Sequence, residues 1–367
     1  MKPNLRQIIS QFQLEGEVLD IEPYGSGHIN TTYLVECQKK DGSPQNFILQ
    51  RINHHVFKEP QKVMANIERI TAHLKQKIME AGGDPQRETL TLIFTKDGKS
   101  YHKTLTGEYW RLELFIEGAR TYQEVPSLQL YYEAAHAYGR FQSMLADFPA
   151  GELFETIPDF HHTGKRLAAF EAAEAGDKAN RSEGVSEEIS FIRERAHMAP
   201  VLTALQEAGR IPLRVTHNDT KLDNVMIDSH TGKGICIIDL DTVMPGIAMF
   251  DFADAVRTGA NLAAEDEPET DKVQFDSQIY EHLAHGFLDK TRRNLTSTEI
   301  DHLAFAARLI TYEQALRFLT DYLNGDVYYK TDYAQHNLIR CRTQIRLLQL
   351  MEASQTQMRD IIEKYRN

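Results

Sequence analysis

The chain has 367 residues, 41% of them hydrophobic and 26% charged, the make-up of a globular protein able to bury a real core and long enough for more than one domain. Acidic residues outnumber basic ones 53 to 41, and the net charge of −12 argues against a general nucleic-acid or anionic-membrane surface, since both need a positive excess. Cys37, Cys236 and Cys341 are widely spaced without a CxxC pair, which excludes a disulfide scaffold and a cysteine-built zinc site. With no apolar leader and no membrane-length apolar run, a reduced, cytoplasmic protein is expected.

Residues 5 to 15 read as a short helix. Val18–Ile21 and Thr31–Val35 read as strands, because β-branched and aromatic residues dominate them, with the glycine-containing loop Tyr24–Asn30 between. A third strand starts at Phe47, and Val63, Ile67, Ile70 and Leu74 recur at helical spacing. Leu90–Phe94 and Tyr109–Ile116 read as further strands. After Gly118 the texture is helical, with an apolar face of Leu130, Ala134, Tyr138, Phe141 and Leu145. Residues 171 to 188, small and charged with two glycines, read as a loose surface connection. Val225–Ile227 and Ile235–Ile238, joined through His230–Gly234, read as a β-hairpin. From about residue 275 the pattern is helical again, closing with one long segment near 335–364. The expected fold is α+β: a small antiparallel-sheet lobe over 1–117 and a larger, mainly helical lobe over 118–367.

The strongest signal is Thr216–Asn224 followed by Ile237–Asp241. Asp219 and Asn224 flank a loop just before the hairpin, and Asp239 stands at its far end, so three oxygen-bearing side chains meet at one end of it. Carboxylate and amide oxygens suit a hard cation such as Mg²⁺. The order His217-x-Asp219-x₄-Asn224, then an aspartate beyond a hairpin, is the phosphoryl-transfer template of kinases. Here His217-Asn218-Asp219 and Asp239-Leu240-Asp241 replace the eukaryotic protein-kinase triplets.

On these residues the chain resembles the aminoglycoside phosphotransferase family, whose fold is protein-kinase-like and two-lobed. It resembles more closely the bacterial N-acetylhexosamine 1-kinases, through Gly25–Tyr33, Arg214–Asn224, Ile238–Thr242 with Met244-Pro245-Gly246, and Arg317-Phe318-Leu319 with Gly325-Asp326. The resemblance implies a nucleotide-binding first lobe and a catalytic, substrate-binding second lobe. ATP would be co-substrate, its phosphates covered by Gly25, Ser26, Gly27 and Asn30, with Thr32 nearby and Phe115 at the hinge that bonds adenine. Asp219 would take the proton of the attacking hydroxyl, and Asn224 and Asp239 would hold Mg²⁺. A neutral sugar would be held by His28, Asp219, Arg317 and Tyr328, and phosphorylated at O1. No nucleic-acid or membrane partner is implied.

Two departures stand out. Gln50 occupies the place of the phosphate-binding lysine, so either Arg51 or Mg²⁺ must carry that charge; the N-acetylhexosamine 1-kinases resemble this chain in that glutamine. Thr258 stands where an aromatic is expected against the sugar ring. Among the remaining polar residues, His217 and Asp251 are expected to support the loop backbone, and Asp241 to be a turn residue or a second metal ligand. Glu68 is read as a strand partner or a solvated side chain, the pairs His54-His55 and His161-His162 as surface histidines, and Glu265–Glu269 as a solvated loop. The rival readings are a kinase of the same fold for an aminoglycoside, amino alcohol or methylthioribose, and a nucleotide-binding regulator without turnover.

Overall fold

A computed structural model of the protein describes residues 4–25 and 29–367. The chain divides into two compact units, each assembled from separate stretches: Met1–Thr121, Asp147–Pro158 and Val225–Pro245 in one, and Tyr122–Ala146, Asp159–Asn224 and Gly246–Asn367 in the other.

The first unit is built on an antiparallel sheet of β1 (Glu17–Pro23), β2 (Thr31–Gln38), β3 (Pro44–Ile52), β4 (His102–Lys103) and β5 (Tyr109–Leu114), in the order β1-β2-β3-β5-β4. Alternate residues Val35 and Cys37, Phe47 and Leu49, and Trp110 and Leu112 fill one core with Ile8, Ile9 and Phe12. The opposite face is therefore free for polar residues, and the register sets Gln50 between Thr32 and Arg111. Helix α1 (Leu5–Ile9) is shorter than its sequence suggested, because the chain leaves it to bridge Phe12 to Thr95. Helix α2 (Pro60–Glu80) opens on proline and buries Val63, Ile67, Ile70 and Leu74, as their spacing predicts. Leu90–Phe94, after the short α3 (Pro85–Glu88), does not form a regular strand. β5 shares its outer edge between β4 and this run, which meets it at the Leu92–Glu113 bridge through Ile93 N–H to the Leu112 carbonyl (2.8 Å) and Leu114 N–H to the Thr91 carbonyl (2.9 Å). The hairpin Val225–Asp228/Gly234–Ile237 forms as read and belongs to this unit.

The second unit is helical: α4 (Leu128–Met144), α5 (Thr163–Gly176), α6 (Ser186–Glu194), α7 (Val201–Glu207), α8 (Met249–Gly259), α9 (Ser277–Thr291), α10 (Ser297–Leu323), α11 (His336–Ala353) and α12 (Gln355–Lys364). Helix α10 starts with a capping box, Thr296 with Glu299, and is buried on most of its circumference, which makes it the central helix. Helices α4 and α9 approach closely through Gly139, where an added Cβ would stand 2.6 Å from the Phe287 carbonyl oxygen. The stretch 171–188 is not a loose connection. Its alanine-rich start completes α5, burying Phe170 and Ala173, and its end opens α6; Gly176 ends a helix rather than opening a loop. The closing segment breaks at Ser354 into two helices. All three cysteines are buried and none is in a disulfide, and among the described residues no helix is long and apolar enough to cross a membrane.

Candidate active site

In the helical unit the short strand Arg214–Thr216 runs into the His217–Asn224 loop, and two carboxylates of α8 hold that loop from beneath. Asp251, fully buried, accepts the backbone N–H groups of His217 (2.9 Å) and Asn218 (2.8 Å) and the side-chain amide of Gln142. One turn on, Asp254 accepts the Thr220 N–H at 2.9 Å, while the Thr220 hydroxyl donates to the Asp251 carbonyl at 2.6 Å. Tyr138 donates its hydroxyl to the Lys221 carbonyl at 2.7 Å. Burial, and then the field of Asp219 and Asp251, pushes this phenol well above its ordinary pKa, so it remains a donor. His217 is buried too, and its Nδ1 accepts the Asp219 N–H at 3.3 Å. His217 and Asp251 thus support the backbone, as their sequence suggested. Asn218 sits at φ +66°, a left-handed conformation that asparagine tolerates better than most residues.

This scaffold leaves the Asp219 carboxylate partly open to solvent with two neighbours. Lys221 Nζ stands 3.0 Å from Oδ1, and Asn224 Nδ2 lies 3.3 Å from Oδ2 and 3.0 Å from the Asp219 carbonyl oxygen. Burial works against the Lys221 charge, but Asp219 more than offsets it and holds the ammonium pKa above the ordinary lysine range. The sequence reading missed Lys221; the signal was its place two residues after Asp219, where a lysine also passes for surface charge. Because Asn224 commits its NH₂ to Asp219, its Oδ1 is the amide atom that suits a cation.

Behind this loop, on α10, Arg317 lies over the rings of Phe160 (5.2 Å) and Tyr329 (5.8 Å) and donates to Gln314 at 3.3 Å. One turn earlier the buried Glu313 accepts the Thr163 hydroxyl (2.5 Å) and pairs with His161 Nδ1 (2.8 Å). His161 is thereby corrected from a surface histidine to a partly buried tie, while His162 caps α5 by accepting the Lys165 N–H. Tyr328 packs its ring 4.8 Å from that of Tyr329. Thr258 turns its hydroxyl to the Asp254 carbonyl of its own helix at 2.9 Å. The acidic run is not a freely solvated loop either: Glu265 pairs with Arg257 at 2.9 Å, and Asp266 with His336 at 3.2 Å.

In the sheet unit, Asp239 follows the hairpin at φ +58°, ψ +56°, a conformation that costs energy in any residue but glycine. Asp241 is fully buried; it pairs with Arg111 and accepts the Asn30 amide at 2.6 Å, which makes it a held turn residue. Asn30 also accepts the Asn53 N–H at 3.0 Å, so both ends of its amide are engaged within the protein. Gln50 accepts from Arg111 Nε at 2.8 Å and donates to Thr32 Oγ1 at 3.1 Å. Arg51 points to the other face of β3, toward Glu108 (3.0 Å) and Thr31 (3.1 Å), and so does not fill the lysine's place. Arg111, which the sequence reading passed over inside an apolar strand, is the cation that stands beside Gln50. Glu68 is exposed, and Asn66 is the α2 side chain that turns inward, bonding the Phe154 and Val243 carbonyls. Phe115 gives its N–H to the Asn46 carbonyl at 3.0 Å, which leaves it only a carbonyl for a base, and its ring meets Tyr24 edge-on at 5.9 Å. Gly25 sits at φ +75° with nothing near an added Cβ, so backbone conformation alone selects glycine there. Ser26, Gly27 and His28 lie outside the described residues.

Among the described residues no three His, Cys, Asp or Glu side chains gather as a metal site. Asn224 offers an amide oxygen and Asp239 a carboxylate, each a donor type that Mg²⁺ accepts, and Mg²⁺ keeps several waters and takes few protein ligands.

The fold matches solved kinases over almost its whole length. An aminoglycoside phosphotransferase from Alicyclobacillus acidocaldarius superposes with a TM-score of 0.62 at 12% identity, covering 99% of this chain and 97% of that one. An amicoumacin kinase, solved in complex with AMP-PNP, Ca²⁺ and Ami, gives 0.59 at 11% identity over 93% and 92% of the two chains. A Plasmodium vivax ethanolamine kinase gives 0.50 at 13% identity over 89% and 82%. At such identities these structures establish the kinase-like α+β fold. The model of the phosphotransferase enzyme family matches residues 20–283, well over half the sequence, and the chain belongs to that family.

Proposed function

We propose that the protein transfers the γ-phosphoryl group of ATP to the anomeric hydroxyl of an N-acetylhexosamine, giving the sugar 1-phosphate and ADP. The observation that carries phosphotransfer is Asp219: a carboxylate on a loop fixed by Asp251 and Asp254, with Lys221 and Asn224 against it. Asp219 takes the proton of O1 as the O1–phosphorus bond forms and the bond from phosphorus to the β–γ bridging oxygen breaks, its electron pair leaving with ADP. Lys221 then stands where charge moves on the transferring group. Asn224 and Asp239 would hold Mg²⁺, which when bound spreads the negative charge of the phosphates. Gly25–Asn30, Thr32 and the Phe115 carbonyl serve the nucleotide, and His28, Arg317 and Tyr328 the sugar.

A neutral acceptor is supported over a cationic one by how the carboxylates around Arg317 are used. Glu313 is committed to His161 and Thr163, and Asp321 to backbone amides, so neither is left to pair with an ammonium group. Arg317 offers donors instead, which suit hydroxyl and acetamido oxygens.

The test is ³¹P and ¹H NMR of the protein with ATP, Mg²⁺ and N-acetylglucosamine, repeated with N-acetylgalactosamine. A phosphate coupled to the anomeric proton is expected. Phosphate on another carbon, or turnover only of an aminoglycoside or amino alcohol, would overturn the sugar assignment and leave phosphotransfer standing. Asp239→Asn should move the Mg²⁺ concentration for half-maximal activity upward. An unchanged metal titration would remove Asp239 from the metal.

A further inference from the structure

Past the end of α10 the chain doubles back through two left-handed residues, Gly325 (φ +93°) and Asp326 (φ +60°). The returning segment crosses Asp321, whose carboxylate accepts the backbone N–H groups of Val327 (2.9 Å), Tyr328 (2.8 Å) and Tyr329 (2.9 Å) and the Asn337 side-chain amide (2.9 Å). Asn337 donates to Asp326 as well, at 2.9 Å, and Arg181 closes on Asp326 at 2.6 Å. Asp321 is only 4% exposed, so its charge is matched by these four donors rather than by water.

The side chains that this arrangement displays stay largely exposed, although the Tyr328 ring meets that of Tyr329. Val327 is 77% exposed and Tyr328 62%. Leaving large apolar side chains in water adds nothing to stability, yet the backbone beneath them is held by a buried charge. A segment so fixed, with its side chains still unburied, is organised for a ligand. Its third residue, Tyr329, points inward instead. Its hydroxyl accepts from Gln314 at 3.2 Å, and its ring flanks Arg317, one turn before Asp321 on the same helix.

We infer that Asp321 is a positioning residue for acceptor recognition: it fixes the Val327–Tyr329 backbone so that Tyr328 and Arg317 face one acceptor. This rests on the proposed roles of Arg317 and Tyr328. Asp321 touches no reacting atom, so its loss acts on acceptor affinity rather than on the chemical step.

The experiment is Asp321→Asn, which keeps the size of the side chain but sets an NH₂ against donors that need an acceptor. The KM for the acceptor should rise roughly 10- to 10²-fold, as when a substrate-positioning group is displaced. The kcat at saturating acceptor and the KM for ATP should hold. Hydrogen exchange of the Val327–Tyr329 amides, measured without any acceptor, should quicken in the variant. An unchanged acceptor KM, a joint fall in kcat and ATP affinity, or unchanged exchange would overturn the inference. If Asp321→Asn does not fold, Asn337→Ala, which removes one of the four donors, should raise the acceptor KM in the same direction, and no rise would overturn it. Wild-type protein that phosphorylates neither N-acetylhexosamine would instead defeat the proposed substrate, and the exchange measurement still decides the role of Asp321.

Discussion

Asp219→Asn is expected to lower kcat by on the order of 10²–10⁴, the range for losing a positioned general base, with the unfolding midpoint close to wild type. The separation follows from how the loop is built. Asp251 and Asp254 take the amides of His217, Asn218 and Thr220, so the loop keeps its shape when the Asp219 carboxylate becomes an amide. What Asp219 itself contributes is a partly exposed pair with Lys221, a kind of contact worth about 0–1 kcal/mol. Single-turnover rates with ATP preloaded would isolate the chemical step. Near-normal turnover in a folded Asp219→Asn protein would end the role assigned to this residue. Asp251→Asn should behave differently, lowering stability and activity together, because it removes charge from a fully buried acceptor.

The layout of the His217–Asn224 loop was legible because its side chains meet within a few residues of one another, and spacing alone places them. The supporting role of Asp251 followed in the same way from a carboxylate at a helix start. What escaped reading depends on partners distant in sequence. His161 beside His162 looks like surface until Glu313, some 150 residues later, is packed against it. Asp321 carries no sequence signal beyond lying within the long helix; its role appears only when the chain returns over it. Alternation within β5 could have flagged Arg111, since Trp110 and Leu112 face the apolar core and put Arg111 and Glu113 together on the other face. The register that sets Arg111 opposite Gln50 is a tertiary fact. So is the turning of Arg51 to the other face, toward Glu108 and Thr31.

Arg111→Met should cost about 3–5 kcal/mol of stability, the range for removing one partner of a buried ion pair. The guanidinium, almost wholly buried, stands between Asp241 and Glu113 and is fixed by Gln50. Burial opposes its charge, but Asp241 and then Glu113 more than compensate and hold its pKa above the ordinary arginine range. Burial is also the larger influence on Glu113, raising its pKa despite Arg111. Asp241 is therefore the carboxylate that suffers when Arg111 is lost, keeping the Asn30 amide but no longer a cation among the described residues. Asp241 follows Asp239 by two residues and anchors Asn30 at the end of the glycine loop, so its disturbance should also raise the Mg²⁺ requirement. Denaturant midpoints for Arg111→Met, Asp241→Asn and the double variant would close a cycle with a coupling of about 0.5–3 kcal/mol. The double variant should be less damaged than the sum of the two, because neither charge is then left buried alone. Strict additivity, or an Arg111→Met protein within about 1 kcal/mol of wild type, the level of an ordinary exposed pair, would show that Asp241 is held by the turn itself and not by the arginine. Gln50→Ala discriminates further: it removes a neutral hydrogen-bond partner and should cost only about 0.5–1.5 kcal/mol, whereas a loss as large as that of Arg111→Met would make Gln50 the residue that keeps the ion pair dry.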